Sequence, residues 1–420
     1  MPLLRIAMLA PFAVHGPKGT TRWRVMPLAR ALAAAGHAVR VVVPPYDNPV
    51  EGGKRWTDGG VEVVNVAAPR GGSRSGALSL VSGLERAAAG WQPDVVHSFK
   101  PKGYNGLAAH WLALRGWLVV QDSDDWEAGW NAVAGYSCSW QRLFSWQERR
   151  GLAGAAAVTV ASRWLERLAV RLRGSDTGVF YLPNGVAGDR FNSGSRSHNA
   201  ILSSPHAQTV DEPQVLLYSR FGETSPAVVW RVWSTVLAAF PAARLVVVGA
   251  GDAGEEATLR DLAAAAGAAR SVVTLGWQQP ETLPGLLASS DVAVFPVTDI
   301  PLNRAKSPMR LLDVLAAGVP VAAQAVGDYA CYVADGETGL LAPAGDPEAL
   351  AGAVVRLLAD RRLARRLGDE AARRAAIDHA WPRLAETSIA AYRFARSRHS
   401  RAGGNPHLAD RECDNEKIIR

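Results

Sequence analysis

The sequence predicts an α/β protein of two doubly wound, parallel-sheet domains that face each other across a cleft. Three observations carry this expectation. The chain has 420 residues, too many for one ordinary core, so two domains of roughly 200 residues each are expected. Short β-branched runs alternate with Ala- and Leu-rich helical segments, the pattern of a parallel sheet with crossover helices. That alternation occurs twice, and a polar, aperiodic stretch rich in Ser, Asn and His over residues 192–213 separates the two occurrences.

In the first half the strand-like runs are 3–9, 38–43, 61–66, 94–97, 117–121, 155–160 and 178–182, with helical segments such as 22–35 and 104–114 between them. In the second half they are 215–218, 244–248, 272–275, 292–295, 319–322 and 339–341. The resulting division is an N-terminal domain over 1–195, a linker over 196–212 and a second domain over 213–378. From 397 to 420 the chain is polar and reads as a disordered tail.

Composition narrows the function classes. With 48% apolar and 20% charged residues the chain is a globular protein rather than a disordered one. The net charge of +7, much of it in the Arg-rich segments 361–374 and 393–401, favours acidic partners such as nucleotides, nucleic acid or anionic lipid, although solvated helix faces account for most of it. Cys138, Cys331 and Cys413 are far apart and have no histidine at ligand spacing, which argues against a disulfide framework or a zinc site. The apolar run 3–9 is too short for a signal sequence, and no run reaches the 18 or so residues that span a bilayer. A cytoplasmic protein is expected, with peripheral contact at the inner face of a membrane left open.

The most informative motif is N-R-A-K-S-P-M-R-L-L-D-V-L-A-A-G-V-P at 303–320. Ser307 suits an N-cap and Pro308 a first helical position; Met309, Leu312 and Leu315 share one apolar face, and Gly318 closes the helix. The first turn of such a helix offers N–H groups and the positive end of its dipole to an anion, and Arg304, Lys306 and Arg310 add full charges. A phosphate or diphosphate fits there. Asp313, further along, can accept hydrogen bonds from a ribose or sugar hydroxyl; the competing reading is a surface pair with Arg310 at i,i+3. Because the helix begins just after a strand's carboxyl end, where ligands of doubly wound sheets bind, the functional reading gains weight.

Gly249, Gly251 and Gly254 spell a dinucleotide-type G-x-G-x-x-G, yet the next strand ends in Gly276-Trp277 with no acid for a ribose. These glycines read as a tight turn or a close backbone approach. In the N-terminal half, Lys18, Gly19 and Arg22 belong to a glycine loop that opens a helix after the first strand and turns its amides to the cleft; a plain turn is the alternative. His97 stands at a strand end before Lys100 and Lys102, and a lone histidine of this kind is often structural. Asp122, Asp124, Asp125 and Glu127 cluster around Trp126 at another strand end. They suit acceptor-sugar hydroxyls, a solvated loop or a metal, while Trp126, Trp130 and Trp140 offer rings for stacking.

Taken together, G-W-x-x-P-x-x-L-x-x-x-L-x-x-S-D-V-x-V-F-P at 276–296, S-P-x-R-L-L-D-x-L-A-A-G-V-P-V at 307–321 and D-G-E-T-G-L-L at 335–341 closely resemble family 4 glycosyltransferases. The likeness extends through G-H-x-V at 36–39, P-N-G-V at 183–186 and the Trp381 helix, over about residues 3–395. The resemblance implies the GT-B fold, a nucleotide-diphosphate-sugar donor in the second domain, acceptor contacts from the first, and transfer with retention. It implies no metal and no cofactor beyond the donor as substrate, and a final helix over 379–396 that crosses back to the first domain.

Position by position, Asp313 falls where the family has the second of two glutamates, the one at the donor ribose, and Ala305 stands at the place of the first. Arg220 matches the diphosphate-holding arginine, but the lysine expected shortly after it is replaced by Glu-Thr-Ser-Pro at 223–226; Lys306 or Arg304 is the expected substitute. The resemblance makes Arg220, Lys306, Asp313 and His97 the catalytic candidates. Donor contacts fall to Gly19, Gly222, Gly251, Trp277, Ser307, Pro308 and Met309, and acceptor contacts to Lys18, Arg22, Asp124, Asp125 and Trp126. The expected partners are the donor and a sugar, glycan or lipid-linked acceptor, and no nucleic acid. A GT-B epimerase, or a nucleotide-sugar binding protein without catalysis, are the competing functions.

Overall fold

The computed structural model describes residues 3–68, 74–186 and 212–401. Nearly all of the expected linker, 196–211, and the tail beyond 401 lie outside the described residues. Two compact units result: Met1–Pro183 with Trp381–Arg420, and Asn184–Ala380. The sequence placed the first boundary at 195, whereas Asn184–Val186 belongs with the second unit, where Val186 bridges to Ala380. The closing helix, Trp381–Arg401, belongs to the first unit and runs past residue 396, where a tail was expected.

In the first unit the strands are β1 (Arg5–Leu9), β2 (Ala38–Val43), β3 (Arg55–Asp58), β4 (Val61–Asn65), β5 (Val95–Phe99), β6 (Val119–Ser123), β7 (Ala157–Val160) and β8 (Val179–Tyr181). They form one sheet in the order β3-β4-β2-β1-β5-β6-β7-β8. All pairs are parallel except β3 with β4. The central strands are near-continuous Val, Ile and Leu because both faces are covered. Helices Met26–Ala34 and Trp381–Arg401 pack on one face around Ile6, Met8, Val41 and Tyr392, and helices Arg74–Ala89 and Gly103–Leu114 pack on the other around Leu9, Leu80 and Leu112. The expected helix over 22–35 begins instead as a π-helical turn, Thr21–Val25. Strand β3 has no apolar run to announce it. It is the edge arm of a hairpin whose turn, Gly59-Gly60, takes φ of 57° and 80°, which a glycine pair supplies without strain.

The second unit holds β9 (Gln214–Tyr218), β10 (Arg244–Val248), β11 (Val272–Gly276), β12 (Val292–Phe295), β13 (Val321–Gln324) and β14 (Leu340–Ala342), all parallel, in the order β11-β10-β9-β12-β13-β14. Each sheet reverses its strand order at its first strand. β1 lies between β2 and β5, and β9 between β10 and β12. The loops leaving the carboxyl ends of these strands therefore diverge and leave a crevice, the place where open α/β sheets hold ligands.

Candidate active site

At the carboxyl end of β9 the chain turns sharply. Phe221 takes φ of 58° although it is not glycine, its ring is buried in the core, and its N–H donates to Ser219 Oγ at 2.9 Å. Strain of this kind is held only where the surroundings impose it. Gly249, after β10, makes the turn possible: its φ is 110°, and a Cβ there would lie 2.1 Å from the Ser219 carbonyl oxygen. Two residues after Phe221, Glu223 is tied by its carbonyl to the loop after β12, accepting from the Thr298 N–H at 2.8 Å and from Asn303 Nδ2 at 3.1 Å.

The Glu223 carboxylate faces back into the turn. It accepts from Lys306 Nζ at 2.8 Å and from Arg310 Nη1 at 3.3 Å. Burial alone pushes the Glu223 carboxyl up, but the Arg310 and Lys306 charges and their hydrogen bonds outweigh it and hold the group down at about 2. A Cβ on Gly222 would lie 3.9 Å from the Lys306 ammonium, so Gly222, Glu223, Lys306 and Arg310 form one cluster. Glu223 entered the sequence reading only as the residue in place of a lysine. Its role as counter-charge has no local signature, since its partners lie 83 and 87 residues away.

The helix that follows spans Met309–Ala316 with Pro308 at its cap and no side-chain capping bond, one residue later than expected. Ser307 does not cap it. Its hydroxyl is buried, 2.7 Å from Tyr332 Oη and accepting from the Asn184 N–H at 3.2 Å, while its carbonyl accepts from Asn184 Nδ2 at 3.1 Å. Ser307 thus anchors the P-N-G-V segment within this unit, and Pro308 and Met309 lead directly into the helix. Asp313 is buried, and Arg310 pairs with Glu223 instead, so the surface i,i+3 pair is not the arrangement observed. Ala305, at the place of the missing glutamate, is buried.

Arg304 does not join the cluster; it forms a bidentate pair with Asp299 at 2.5 and 2.7 Å, so of the two expected substitutes for the lysine it is Lys306 that comes close. Arg220 reaches outward, its Nη2 2.9 Å from Asp252 Oδ1. Gly251 and Trp277 follow β10 and β11 on the same edge of the sheet. The Gly251 N–H donates to Glu256 Oε1 at 2.8 Å, and Trp277 is largely exposed.

The first unit carries the other candidates, Gly19 among them. The Gly19 carbonyl accepts from the Trp23 N–H, and a Cβ there would lie 2.7 Å from the Trp23 ring. The Lys18 ammonium sits 4.5 Å from the Phe12 ring and Arg22 lies 4.7 Å over Trp23. His97 is corrected outright. It is fully buried, with Nδ1 2.8 Å from Tyr392 Oη and Nε2 3.1 Å from Thr159 Oγ1, and burial lowers its pKa to about 4. A neutral imidazole locked between two hydroxyls within its own unit has neither access nor a free nitrogen for catalysis.

Thr159 passes the network on to Asp122, which forms a bidentate pair with buried Arg24 at 2.9 and 2.7 Å; Arg24 also donates to the Leu182 and Pro183 carbonyls. Arg24 lies in the π-helical turn Thr21–Val25 and is buried, and no local pattern singles it out.

Asp124, Asp125 and Glu127 are close enough together to share a cation, and they share one already: the Lys100 ammonium lies 3.1, 2.7 and 3.0 Å from their oxygens. Burial holds Asp124 up at about 6 against the pull of Lys100. Lys102 reaches Glu127 from the other side at 3.2 Å. Trp126 packs at 4.8 Å on Trp164 over a small apolar core, so much of its face is taken by protein, not offered for stacking. Glu148, also unforeseen, accepts from the N–H groups of Glu127 and Ala128 and so caps the helix Glu127–Val133.

Comparison with known proteins adds to this geometry. Residues 19–185 match the glycosyl transferase 4-like domain, and residues 212–360 match the glycosyl transferases group 1 domain. The chain is similar to phosphatidyl-myo-inositol mannosyltransferase of Mycolicibacterium smegmatis, 28% identical over 86% of each chain, and to D-inositol 3-phosphate glycosyltransferase of Acidothermus cellulolyticus, 34% identical over 40% of this chain and 36% of that one. Among solved structures it resembles sucrose-phosphate synthase from Thermosynechococcus elongatus, with a TM-score of 0.72 and 23% identity, covering 93% of this chain and 98% of that one. It also resembles Anabaena HepE in complex with UDP-glucose, with a TM-score of 0.65 and 17% identity, covering 94% and 100%. Two parallel-sheet units, the turn after β9 and the basic helix start after β12 belong together in this context, and the chain is a group 1, family 4 glycosyltransferase of the GT-B fold.

Proposed function

We propose that the protein transfers a sugar from a nucleotide-diphosphate-sugar to a sugar, glycan or lipid-linked acceptor, with retention at the anomeric carbon and without a metal. One observation carries the donor side: Lys306 and Arg310 meet beside the start of the helix Met309–Ala316, at the strand-order reversal of the second sheet. The departing diphosphate is stabilised by these two cations, by Arg220 and by the helix's first-turn N–H groups. Asp313 accepts from a ribose hydroxyl. The acceptor hydroxyl attacks from the face the diphosphate leaves, and no side chain serves as a covalent nucleophile. The first unit supplies acceptor contacts through Lys18, Arg22 and the acids around Lys100. UDP-glucose, present in the HepE complex, is the first donor to try, and an inositol-bearing lipid the first acceptor, after the mannosyltransferase relatives.

A second reading, binding without catalysis, is favoured by the burial of Ala305 and by the carboxylate already seated on Lys306. Incubation with a panel of nucleotide sugars, with and without a chelator, separates the two. A transferase releases free nucleotide and does so with the chelator present; a binding protein only raises its melting temperature.

A further inference from the structure

In the first unit the helix Cys138–Gly154 turns an unusual face to solvent. Its one acid, Glu148, points inward to cap a neighbouring helix. Outward stand Arg142, Trp146, Arg149 and Arg150, spaced so that the indole has a guanidinium four residues before it and two more three and four residues after it. Residues 132–137, which lead into the helix, and its first three residues, 138–140, are exposed throughout. The exposed apolar side chains on or beside this helix are Leu114 (70%), Val133 (68%), Trp140 (52%), Trp146 (45%) and Tyr136 (40%).

These side chains are not scattered. Trp140 stacks on Phe144 at 5.4 Å, Tyr136 meets the same ring at 5.5 Å, and the Lys102 ammonium lies over both Tyr136 and Phe144 at 5.0 and 4.9 Å. Leu114, His110, Trp146 and Arg150 line one groove of about 260 Å³ between this helix and Gly103–Leu114. Indole and phenol rings with arginines among them and no outward acid on the helix match a bilayer surface, apolar just below and anionic above.

We propose that this face docks the protein on an anionic lipid bilayer. A single exposed tryptophan would mean little, but aromatic residues interleaved with arginines give both the shallow insertion and the charge attraction that reversible membrane binding needs. Through Lys102 the patch is continuous with the Lys100–Glu127 cluster at the ends of β5 and β6, so docking brings that end of the first unit to the headgroups. The purpose of the docking, though not its occurrence, rests on the lipid-linked acceptor proposed above.

The test is co-sedimentation of the full chain with vesicles of phosphatidylcholine mixed with phosphatidylglycerol, against phosphatidylcholine alone. Wild type is expected to pellet with the anionic vesicles and to be released by salt. Each basic residue near an anionic leaflet contributes roughly a factor of five, so Arg142→Gln, Arg149→Gln and Arg150→Gln together should lower the partition about 100-fold. Trp140→Ser with Trp146→Ser should lower it even at low salt. Arg361→Gln, Arg362→Gln and Arg365→Gln, on an exposed basic helix of the second unit, should leave it unchanged. Circular dichroism and melting confirm that each variant is folded. Absence of anionic-vesicle binding by wild type, or equal losses in the patch and control variants, overturns the proposal. Vesicle binding without nucleotide release from any donor leaves the docking intact and removes the transferase reading instead.

Discussion

Glu223→Gln tests the cluster at its centre. The wild-type carboxyl titrates at about 2 rather than at the ordinary 4.5, so the folded second unit favours the ionised form by about 2.5 pH units, or about 3 kcal/mol. The group is well buried, with a side-chain exposure of 14%, so solvent screening removes little of this. A depressed carboxyl pKa gives stability that is fully present above about 4.5 and lost as the pH falls towards 2. The variant should therefore unfold in urea with about 3 kcal/mol less stability at pH 7, and the gap should narrow as the pH falls below 4.5 towards 2. Binding should move the other way. With the competing carboxylate gone, pyrophosphate or UDP should bind about tenfold more tightly by calorimetry, a gain of about 1.4 kcal/mol. A stability difference under 1 kcal/mol, or one that does not change with pH, would refute the coupling; weaker anion binding would show that Glu223 orients the cations instead of competing for them.

Asp313→Asn should weaken nucleotide binding by about 1 to 3 kcal/mol if the carboxylate accepts a ribose hydroxyl, and calorimetry showing unchanged affinity rejects that role. Ala305→Glu should not restore a donor contact: at 1% exposure the new charge is buried, so the expected result is a loss of about 3 kcal/mol or more in stability, and a tenfold gain in donor affinity would contradict it. His97→Asn should cost about 1 to 3 kcal/mol of stability by breaking the Tyr392–Thr159 bridge, while nucleotide affinity at a temperature where the variant is folded stays unchanged; a selective loss of turnover would return the histidine to the site.

Both sheets are legible in the sequence because their inner strands are buried on two faces and so begin as short, mostly apolar runs rich in Val, Ala and Leu. β3 is not, since an edge strand of Arg-Trp-Thr-Asp needs no apolar run, and only the Asp-Gly-Gly turn marks it. The helix after β12 is legible from its apolar period, but its start is not. Ser307 has the residue type of a cap, yet tertiary partners, Tyr332 and the Asn184 amides, take its polar atoms. His97 fails for a similar reason. Its environment is set by Tyr392, 295 residues away in the final helix, and no local pattern carries that contact. The basic residues of the proposed anion site are visible in one motif, but the carboxylate paired with them belongs to a turn after another strand.

The basic residues at this site differ in how tightly they are already engaged, and this decides what each contributes. Asp252, the partner of Arg220, has a side-chain exposure of 90%, so a diphosphate bound as proposed would displace it from Arg220 by an exchange in water at little cost. Glu223 cannot leave Lys306 and Arg310 so easily, because it is held by its own backbone to Thr298 and Asn303 and would be stranded as a buried charge. On the proposed donor reading a diphosphate shares these two cations with Glu223, while it takes Arg220 whole. Arg220→Ala should then lower donor affinity and turnover, by about 2 to 4 kcal/mol at the transition state, with no change in melting temperature. Lys306→Ala should lower both affinity and stability, since it removes one of the two charges that keep Glu223 ionised. Equal melting temperatures for the two variants would mean that Lys306 is as loosely held as Arg220, and the division between a free grip and a shared one would not stand.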